Sequence, residues 1–527
     1  MKSFLKKYGF NFLIILIISF GIFLRLKGFI TNPSFWHDEC AMAWNIKFKS
    51  YSELFGVLRF LQVTPPLFSV VTKFLTGIFG FSEMVFRFIP FVAGCLSIIG
   101  FYFLSSKALN TKFSILSAVF LFAINQRLIN YSFEFKPYGP DVFFTIICLL
   151  FFINLDIEKL NIKKAVLYGV LLSLIPWFSF VSVFVIAGGF LNLFLVQAKR
   201  KEERGKREKE RGKRKEEKED AKTQRRKETE KSKNYASLHP SIFASKTTFI
   251  LSLILPMIIS GLIYLKFYLL ANYTGTHMVS DWQDYFVTLN PIKFLHLLTE
   301  SIRYLFFPIQ YILFALILFI LGIIIYTKEK SSSFNIAILT FIMFLFSSFL
   351  HIYPFGERVI VFLIPIYLLF IIKPFDLISL NKKVKSLIIV FIAFLTFYPQ
   401  INFAIDFFQS KSISKGEFPR EMMEFMVKTI KPSDIIFVNN ASNTEFEYYS
   451  SFYKLKNKTF REKLAGKPDA RYFMLLNSLP KGYYWFYLSF DYSHRPVIPA
   501  ITSWAQTKRI IHSYKSNKSA LIYVSIK

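Results

Sequence analysis

Two adjacent carboxylates, Asp38 and Glu39, follow the first long apolar run in the stretch Ser34-Phe35-Trp36-His37-Asp38-Glu39. Charge this close to a bilayer costs free energy unless it faces water or a partner, about 2.5–3.5 kcal/mol at the membrane centre. One such carboxylate can act as a general base at the membrane surface while the other orients it or holds a cation; the bland alternative is decoration of the interface. Asp38 and Glu39 are thus the only candidates for a divalent-cation site, and no cofactor is otherwise indicated.

Two further polar islands interrupt apolar sequence. Tyr131-Ser132-Phe133-Glu134-Phe135-Lys136-Pro137-Tyr138 places a charge pair and aromatic rings in a very short loop, and Tyr353-Pro354-Phe355-Gly356-Glu357-Arg358 does the same farther on. Arg25, Lys27 and Arg358 stand where loops poor in cations are expected. Such cations can hold an anionic headgroup, for which arginine is the better fork; otherwise they snorkel to the interface. In Ser82-Glu83-x3-Arg87, spacing by four predicts an ion pair between Glu83 and Arg87 on one helix face. Cys40, Cys95 and Cys148 are too few and too scattered for a disulfide framework or a zinc site.

The elements that must position these residues are membrane helices. The chain has 527 residues, 53% hydrophobic and 19% charged, with a mean hydropathy of +0.41. Runs such as FNFLIILIISFGIFL and SLIIVFIAFLTF contrast with KRKEERGKREKERGKRKEEKED. This unevenness excludes an ordinary soluble enzyme, a fibre and a wholly disordered chain, and predicts an α-helical polytopic membrane protein. Eleven spans are expected near 9–28, 84–106, 113–129, 139–155, 165–179, 181–197, 247–270, 304–326, 334–351, 358–373 and 386–403, with Pro176 separating two of them. The first span carries no convincing cleavage site and is expected to be retained.

Lys2, Lys6 and Lys7 argue for a cytoplasmic N-terminus, and the 156–164 and 379–385 loops then fall inside with their lysines. Residues 65–80 become an amphipathic helix on the outer surface rather than a span. Residues 199–233 carry 18 Lys/Arg against 10 Asp/Glu, so +8 of the formal +31 belongs to one low-complexity run. That distribution argues against nucleic acid and predicts a disordered cytoplasmic insertion at about 199–234. The expected organisation is a membrane domain over 1–403 and a small extracytoplasmic α/β domain over 404–527. In the latter, SDIIFVNN, RYFMLLN, YYWFYLSF and ALIYVSIK read as strands, and REMMEFMVKTIKPSD as an amphipathic helix with Met422, Phe425, Met426 and Ile430 on one face.

The order R-L-x8-F-W-x-D-E over Arg25–Glu39, then x-P-P-L, S-E-x3-R, Y-S-x-E-x-K-P-Y and Y-P-F-G-E-R-x3-F-L-I-P, resembles the GT-C class of integral-membrane glycosyltransferases. The likeness is to the bacterial branch related to protein O-mannosyltransferases and to the lipid A aminoarabinose and rhizobial galacturonosyl transferases. It covers residues 9–140 and 351–366. The resemblance implies an inverting transfer from a polyprenyl-phosphate-linked sugar donor to a lipid, glycan or protein acceptor, in a bacterial plasma (inner) membrane, on the extracytoplasmic face. Asp38 would be the base, with Glu39 and Glu134 beside it. Arg25, Lys27, Arg87, Lys136, Tyr138, Tyr353 and Arg358 would bind substrate, with Thr64 standing where relatives often carry Lys or His, and Lys27 or Lys73 supplying the missing contact. The other readings are an envelope oligosaccharide ligase or polymerase and a transporter or flippase; no inverted repeat or pair of broken helices favours the last.

Overall fold

In a computed structural model the described residues are 2–156, 160–223, 282–306, 312–329, 332–377, 383–410, 417–462, 470–489, 497–515 and 518–527, with a few between 255 and 265. The first helices are α1 (Lys2–Thr31), α2 (His37–Phe48), α3 (Pro66–Phe79), α4 (Glu83–Ala108), α5 (Lys112–Ile124) and α6 (Gln126–Ser132). Their starts are written in the sequence. The Ser82 and Thr111 hydroxyls accept from the amides of Val85 and Ser114, and Asn125 accepts from Leu128, each satisfying a donor that the first helical turn leaves free. Asn125 also marks a 49° bend between α5 and α6.

Next come α7 (Tyr138–Asn154), α8 (Ile162–Leu174), α9 (Ser182–Thr223), α10 (Pro291–Leu305), α11 (Ile312–Glu329), α12 (Ser332–Phe349), α13 (Ile364–Ile372) and α14 (Lys383–Gln409). Every residue of α13 is buried, as expected of a helix that is apolar on all sides and sits at the centre of a bundle. Among the described residues, five helical segments are long and apolar enough to cross a membrane: Gly9–Thr31, Glu83–Ala108, Ser182–Lys199, Ile312–Glu329 and Glu357–Leu377. A sixth arises if α5 and α6 are one bent span, and α7 and Asn335–Phe349 are shorter apolar helices. The break expected at Pro176 is present, as a short 3-10 turn between α8 and α9. Most of the expected 247–270 span lies outside the described residues. The expected 304–326 span is not one helix: α10 ends at Leu305 with Phe306 outside helical geometry, and the described apolar helix that follows is α11.

Two expectations change here. The charged run continues α9 as helix to Thr223 rather than being disordered; a Glu202–Lys206 pair one turn apart shows how such a sequence supports helix without a core. Residues 224–234 of the predicted insertion lie outside the described residues. Helix α3 has the predicted short, non-spanning length, but apart from Phe68 and Pro66 its inward face is small and polar: Ser69, Thr72 and Thr76 are buried, while Phe74, Ile78 and Phe79 are exposed.

The C-terminal region contains α15 (Pro419–Thr429), β1 (Ile435–Val438), α16 (Asn443–Ser450), β2 (Thr459–Arg461), α17 (Ala470–Asn477), β3 (Gly482–Leu488), α18 (Val497–Gln506), β4 (Arg509–Lys515) and β5 (Ala520–Ile526). The sheet order is β2-β1-β3-β5-β4, with β1 parallel to β2 and β3, and β5 antiparallel to β3 and β4. Period-two alternation divides its apolar residues between two cores. Ile436, Val438, Trp485, Tyr487, Leu521 and Tyr523 face α15 and α16, whereas Phe437, Tyr484, Phe486, Leu488, Ile522 and Val524 face α17 and α18. RYFMLLN, expected as a strand, is helix α17. Tyr472 and Leu476 are buried on it while Met474 is 67% exposed, which is helical spacing. Helix α15 is as expected except that Met423 is buried and Phe425 is largely exposed.

The first of these two cores is not confined to the C-terminal region. Phe35, Cys40, Met42, Phe68, Phe86 and Phe135 belong to it together with Met422, Met426, Tyr448 and Trp485. The start of α2, which carries Asp38 and Glu39, is thus packed between the helical bundle and the small sheet domain.

Candidate active site

Asp38 lies in the first turn of α2, and its carboxylate faces two cations from distant parts of the chain. Arg358 Nη1 donates to Oδ2 at 2.8 Å, and Lys136 Nζ stands 3.5 Å from the same oxygen. Lys136 Nζ also donates to Gln62 Oε1 at 2.9 Å. Trp36 ties in the second polar island: its indole N–H donates to Glu134 Oε1 at 3.2 Å, while the Arg358 guanidinium lies 5.8 Å from its ring and 5.9 Å from that of Trp282. Tyr138 packs edge-on against Tyr131, whose hydroxyl meets that of Tyr304 at 2.6 Å. Three islands far apart in the sequence thus meet at one point. Arg358 is the most open of the charged groups, its side chain 32% exposed against 15% for Asp38 and 7% for Lys136.

Burial alone would push the Asp38 carboxyl up, but Lys136 and Arg358, with His37 behind them, override it and hold Asp38 at about 2. Lys136 is itself pulled below the ordinary lysine range by burial, with Arg358 adding to the effect against Asp38. The site is a carboxylate saturated by cations.

Glu39 has a different partner. Its carboxylate is fully buried and takes two hydrogen bonds from Arg87, Nε at 2.9 Å and Nη2 at 2.8 Å, and a third from the Phe135 amide at 2.6 Å. Arg87 also donates to the carbonyls of Pro33 and Ser34. The expected Glu83–Arg87 pair is not formed. Glu83 instead accepts from Arg420 and from the Tyr449 hydroxyl. Helix spacing made Glu83 the nearest acid in sequence, but Glu39 offers both oxygens to the fork of Arg87 in a dry pocket. Buried and saturated in this way, Arg87 holds the start of α2 in place and presents no free donor edge to a substrate.

The structure gives other expected substrate contacts different partners. Arg25 is buried within the bundle and donates to the carbonyls of Gly21 and Ala123. Lys27 donates to the carbonyls of Phe407 and Phe408 at the end of α14, a favourable place for a cation. Lys73 caps α2 through the Ile46 carbonyl. Tyr353 packs against Phe184 and Phe344 in the bundle core. Thr64 is buried. Asp38 faces Arg358 and Lys136, whereas Glu39 faces Arg87. Among the described residues no group of three or more His, Cys, Asp or Glu side chains is placed to hold a metal ion.

Sequence reasoning assigned no role to Gln62, His37, Trp282 or Tyr285. Trp282 and Tyr285 frame Arg358: the Tyr285 hydroxyl donates to Glu357 at 2.7 Å, and a β-carbon at Gly356 would fall on its ring. The signal for Trp282 and Tyr285 was two aromatic side chains with polar tips standing close together just ahead of α10.

A family model described as dolichyl-phosphate-mannose-protein mannosyltransferase matches residues 63–207, about a quarter of the chain. ArnT from Cupriavidus metallidurans bound to undecaprenyl phosphate superposes with a TM-score of 0.50 at 11% identity, over 97% of each chain. The fold is that of a GT-C membrane glycosyltransferase. The apo form of the same ArnT gives a TM-score of 0.49 at 10% identity over 98% of each chain. The oligosaccharyltransferase of Archaeoglobus fulgidus gives 0.45 at 14% identity, over 89% of this chain and 68% of that one. No curated protein matches in sequence. The GT-C fold here comprises the multi-pass helical bundle, the start of α2 carrying Asp38 and the small C-terminal sheet domain.

Proposed function

We propose that this chain transfers a sugar from a polyprenyl-phosphate-linked donor to an acceptor hydroxyl, with inversion at the anomeric carbon, on the extracytoplasmic face of a bacterial inner membrane. The observation that carries this reading is the meeting of Asp38, Arg358 and Lys136 at one partly open point. Arg358 and Lys136 are the groups that would hold the donor phosphate, and Asp38 is the group that would take the acceptor proton. The acceptor oxygen forms a bond to the anomeric carbon as the bond to the phosphate oxygen breaks. The electron pair leaves with the polyprenyl phosphate, and the hydroxyl proton passes to Asp38.

A carboxylate held at about 2 is a poor base. Donor binding changes that. An arriving phosphate takes its share of Arg358 and Lys136, and the Asp38 carboxylate, now beside a second anion and less well paired, gains proton affinity. Before the donor arrives Asp38 keeps the two cations paired; afterwards it is released to act. Transport is less well supported, because the paired charges gather at loop ends rather than along a path through the bundle.

The test is Asp38→Asn, which keeps the shape and removes the basicity. With protein in vesicles and a panel of polyprenyl-phosphate sugars, turnover should fall by about 10²–10⁴, while undecaprenyl phosphate still binds. Arg358→Ala should instead weaken undecaprenyl phosphate binding. Normal transfer by Asp38→Asn refutes the assignment.

A further inference from the structure

Helix α2 caps its own start only in part, through the Glu39 carboxylate, which accepts from the Trp36 amide at 3.4 Å. Trp36 occupies the N-cap position with no side-chain oxygen to accept a helical amide, although one of the four free N–H groups at such an end normally finds one there. The missing acceptor comes from the C-terminal domain. The His37 amide donates to Glu417 Oε2 at 3.1 Å, and the His37 ring meets Glu445 Oε1 through Nδ1 at 3.0 Å. The Glu445 side chain is fully buried. The approach to the helix is held from the same side: Arg420 donates to the Asn32 carbonyl, the Ser34 hydroxyl to Glu421, and the Phe35 amide to Tyr449 Oη at 2.9 Å. Phe35 is buried among Phe86, Phe135 and Tyr448.

We propose that Glu445, a residue of the C-terminal domain, is a positioning residue for Asp38, acting through His37. The proposal rests on the reading of Asp38 as the proton acceptor. His37 and Asp38 are neighbours in the first turn of α2, so a ring fixed by Glu445 and an amide fixed by Glu417 set the rotation of that turn and the direction of the Asp38 carboxylate. The arrangement is also electrostatic. Burial opposes a charge on His37, but Glu445, then Asp38 and Glu417, raise it to about 9, so the ring is an imidazolium at neutral pH. These three carboxylates are the acidic groups facing the ring, and Lys518 faces Glu417 in turn. The imidazolium adds a third positive charge beside Asp38, behind Lys136 and Arg358. On this reading the sheet domain is a working part of the site rather than a lid over it.

Glu445→Gln in the full-length protein in vesicles tests this. The amide can still touch the ring but no longer keeps it charged. The expected result is a kcat lowered between roughly tenfold and a hundredfold, the cost of a small misplacement of a reacting group, with the donor KM unchanged. A new step should also enter the kcat–pH profile between about pH 6 and 8, where a histidine deprived of its partner titrates, and Glu445→Asp should remove that step. If Glu445→Gln expresses poorly, His37→Gln serves: kcat should fall by a similar factor with no step in the pH profile. Wild-type kcat and pH profile in a folded Glu445→Gln or His37→Gln protein overturns the proposal. Asp38→Asn assayed alongside separates the two failures: full transfer by Asp38→Asn sinks the base assignment, whereas loss there together with normal Glu445→Gln kinetics sinks only the positioning role.

Discussion

Arg87 and Glu39 meet in two parallel hydrogen bonds of 2.9 and 2.8 Å with neither side chain exposed. This fork joins α4 to α2 one residue beyond Asp38, and the Phe135 amide on the same carboxylate joins both to the loop that carries Lys136. Asp38 and Lys136 therefore share one anchor. A buried ion pair is a weak source of net stability but a strong constraint, because removing one partner leaves the other charged and dry.

Breaking this pair should accordingly be severe. Arg87→Met or Glu39→Met alone is expected to cost about 3–5 kcal/mol, whereas the double variant Arg87→Met with Glu39→Met should recover most of that loss. Thermal unfolding of the purified protein in detergent, run as a double-mutant cycle, measures the coupling. Equal melting temperatures for Arg87→Met and the wild type would show that the fork is idle.

How much of this was legible beforehand depends on the kind of signal each residue leaves. Asp38, Glu134, Lys136 and Arg358 stood out because charge in a short loop between apolar runs needs a reason, and the structure brings them together. Arg87 was legible as a residue but not as a partner: the local spacing pointed to Glu83, and only tertiary packing reveals that Glu39 competes for it. Glu417, Glu445 and Tyr449 left no signal at all. In a region with the composition of a soluble domain a glutamate costs nothing on the surface, so nothing marks the ones that are buried against α2. The same limit applies to RYFMLLN, whose seven residues fit a strand by composition and a helix by the spacing of Tyr472 and Leu476. Span lengths could be read only within a turn or two, because the bend at Asn125 and the end of α10 at Leu305 depend on what packs there.

The contact between α2 and the sheet domain should weaken in alkali. His37, raised to about 9 from an ordinary 6.5, stabilises the folded state fully below about 6.5 and loses that contribution as pH rises through 9. Glu417 acts in the same direction: burial, with Glu445 adding to it, pushes its carboxyl up to about 8 from 4.5, so its contribution is present at low pH and is lost as pH rises through 8. Asp38 has the opposite sign. Held at about 2, it stabilises above its ordinary 3.8 and loses that only as pH falls toward 2. Stability should be greatest near pH 4 and decline toward pH 9, first through Glu417 above its ordinary 4.5 and from about pH 6.5 through His37 as well. Melting temperatures across that range, with limited proteolysis reporting release of the sheet domain, check this; a flat or rising profile from pH 6.5 to 9 contradicts it.

The site works on the proposed face only if the sheet domain and the long charged helix lie on opposite sides of the membrane. Residues 199–223, rich in Lys and Arg, continue α9 directly from its apolar part, and such a run is costly to translocate. Lys206 is 70% exposed on it, and Lys456 is exposed in the sheet domain. Single cysteines at these two positions therefore report the two sides independently. Cys40 and Cys148 are buried and Cys95 is half-buried, so replacing Cys95 by serine leaves little background. In intact cells with a permeable outer layer, an impermeant maleimide should label Lys456→Cys and should reach Lys206→Cys only after lysis. Labelling of Lys206→Cys with protection of Lys456→Cys would invert the topology and place Asp38 in the cytoplasm, and labelling of both in intact cells would mean that the number of crossings between them is even.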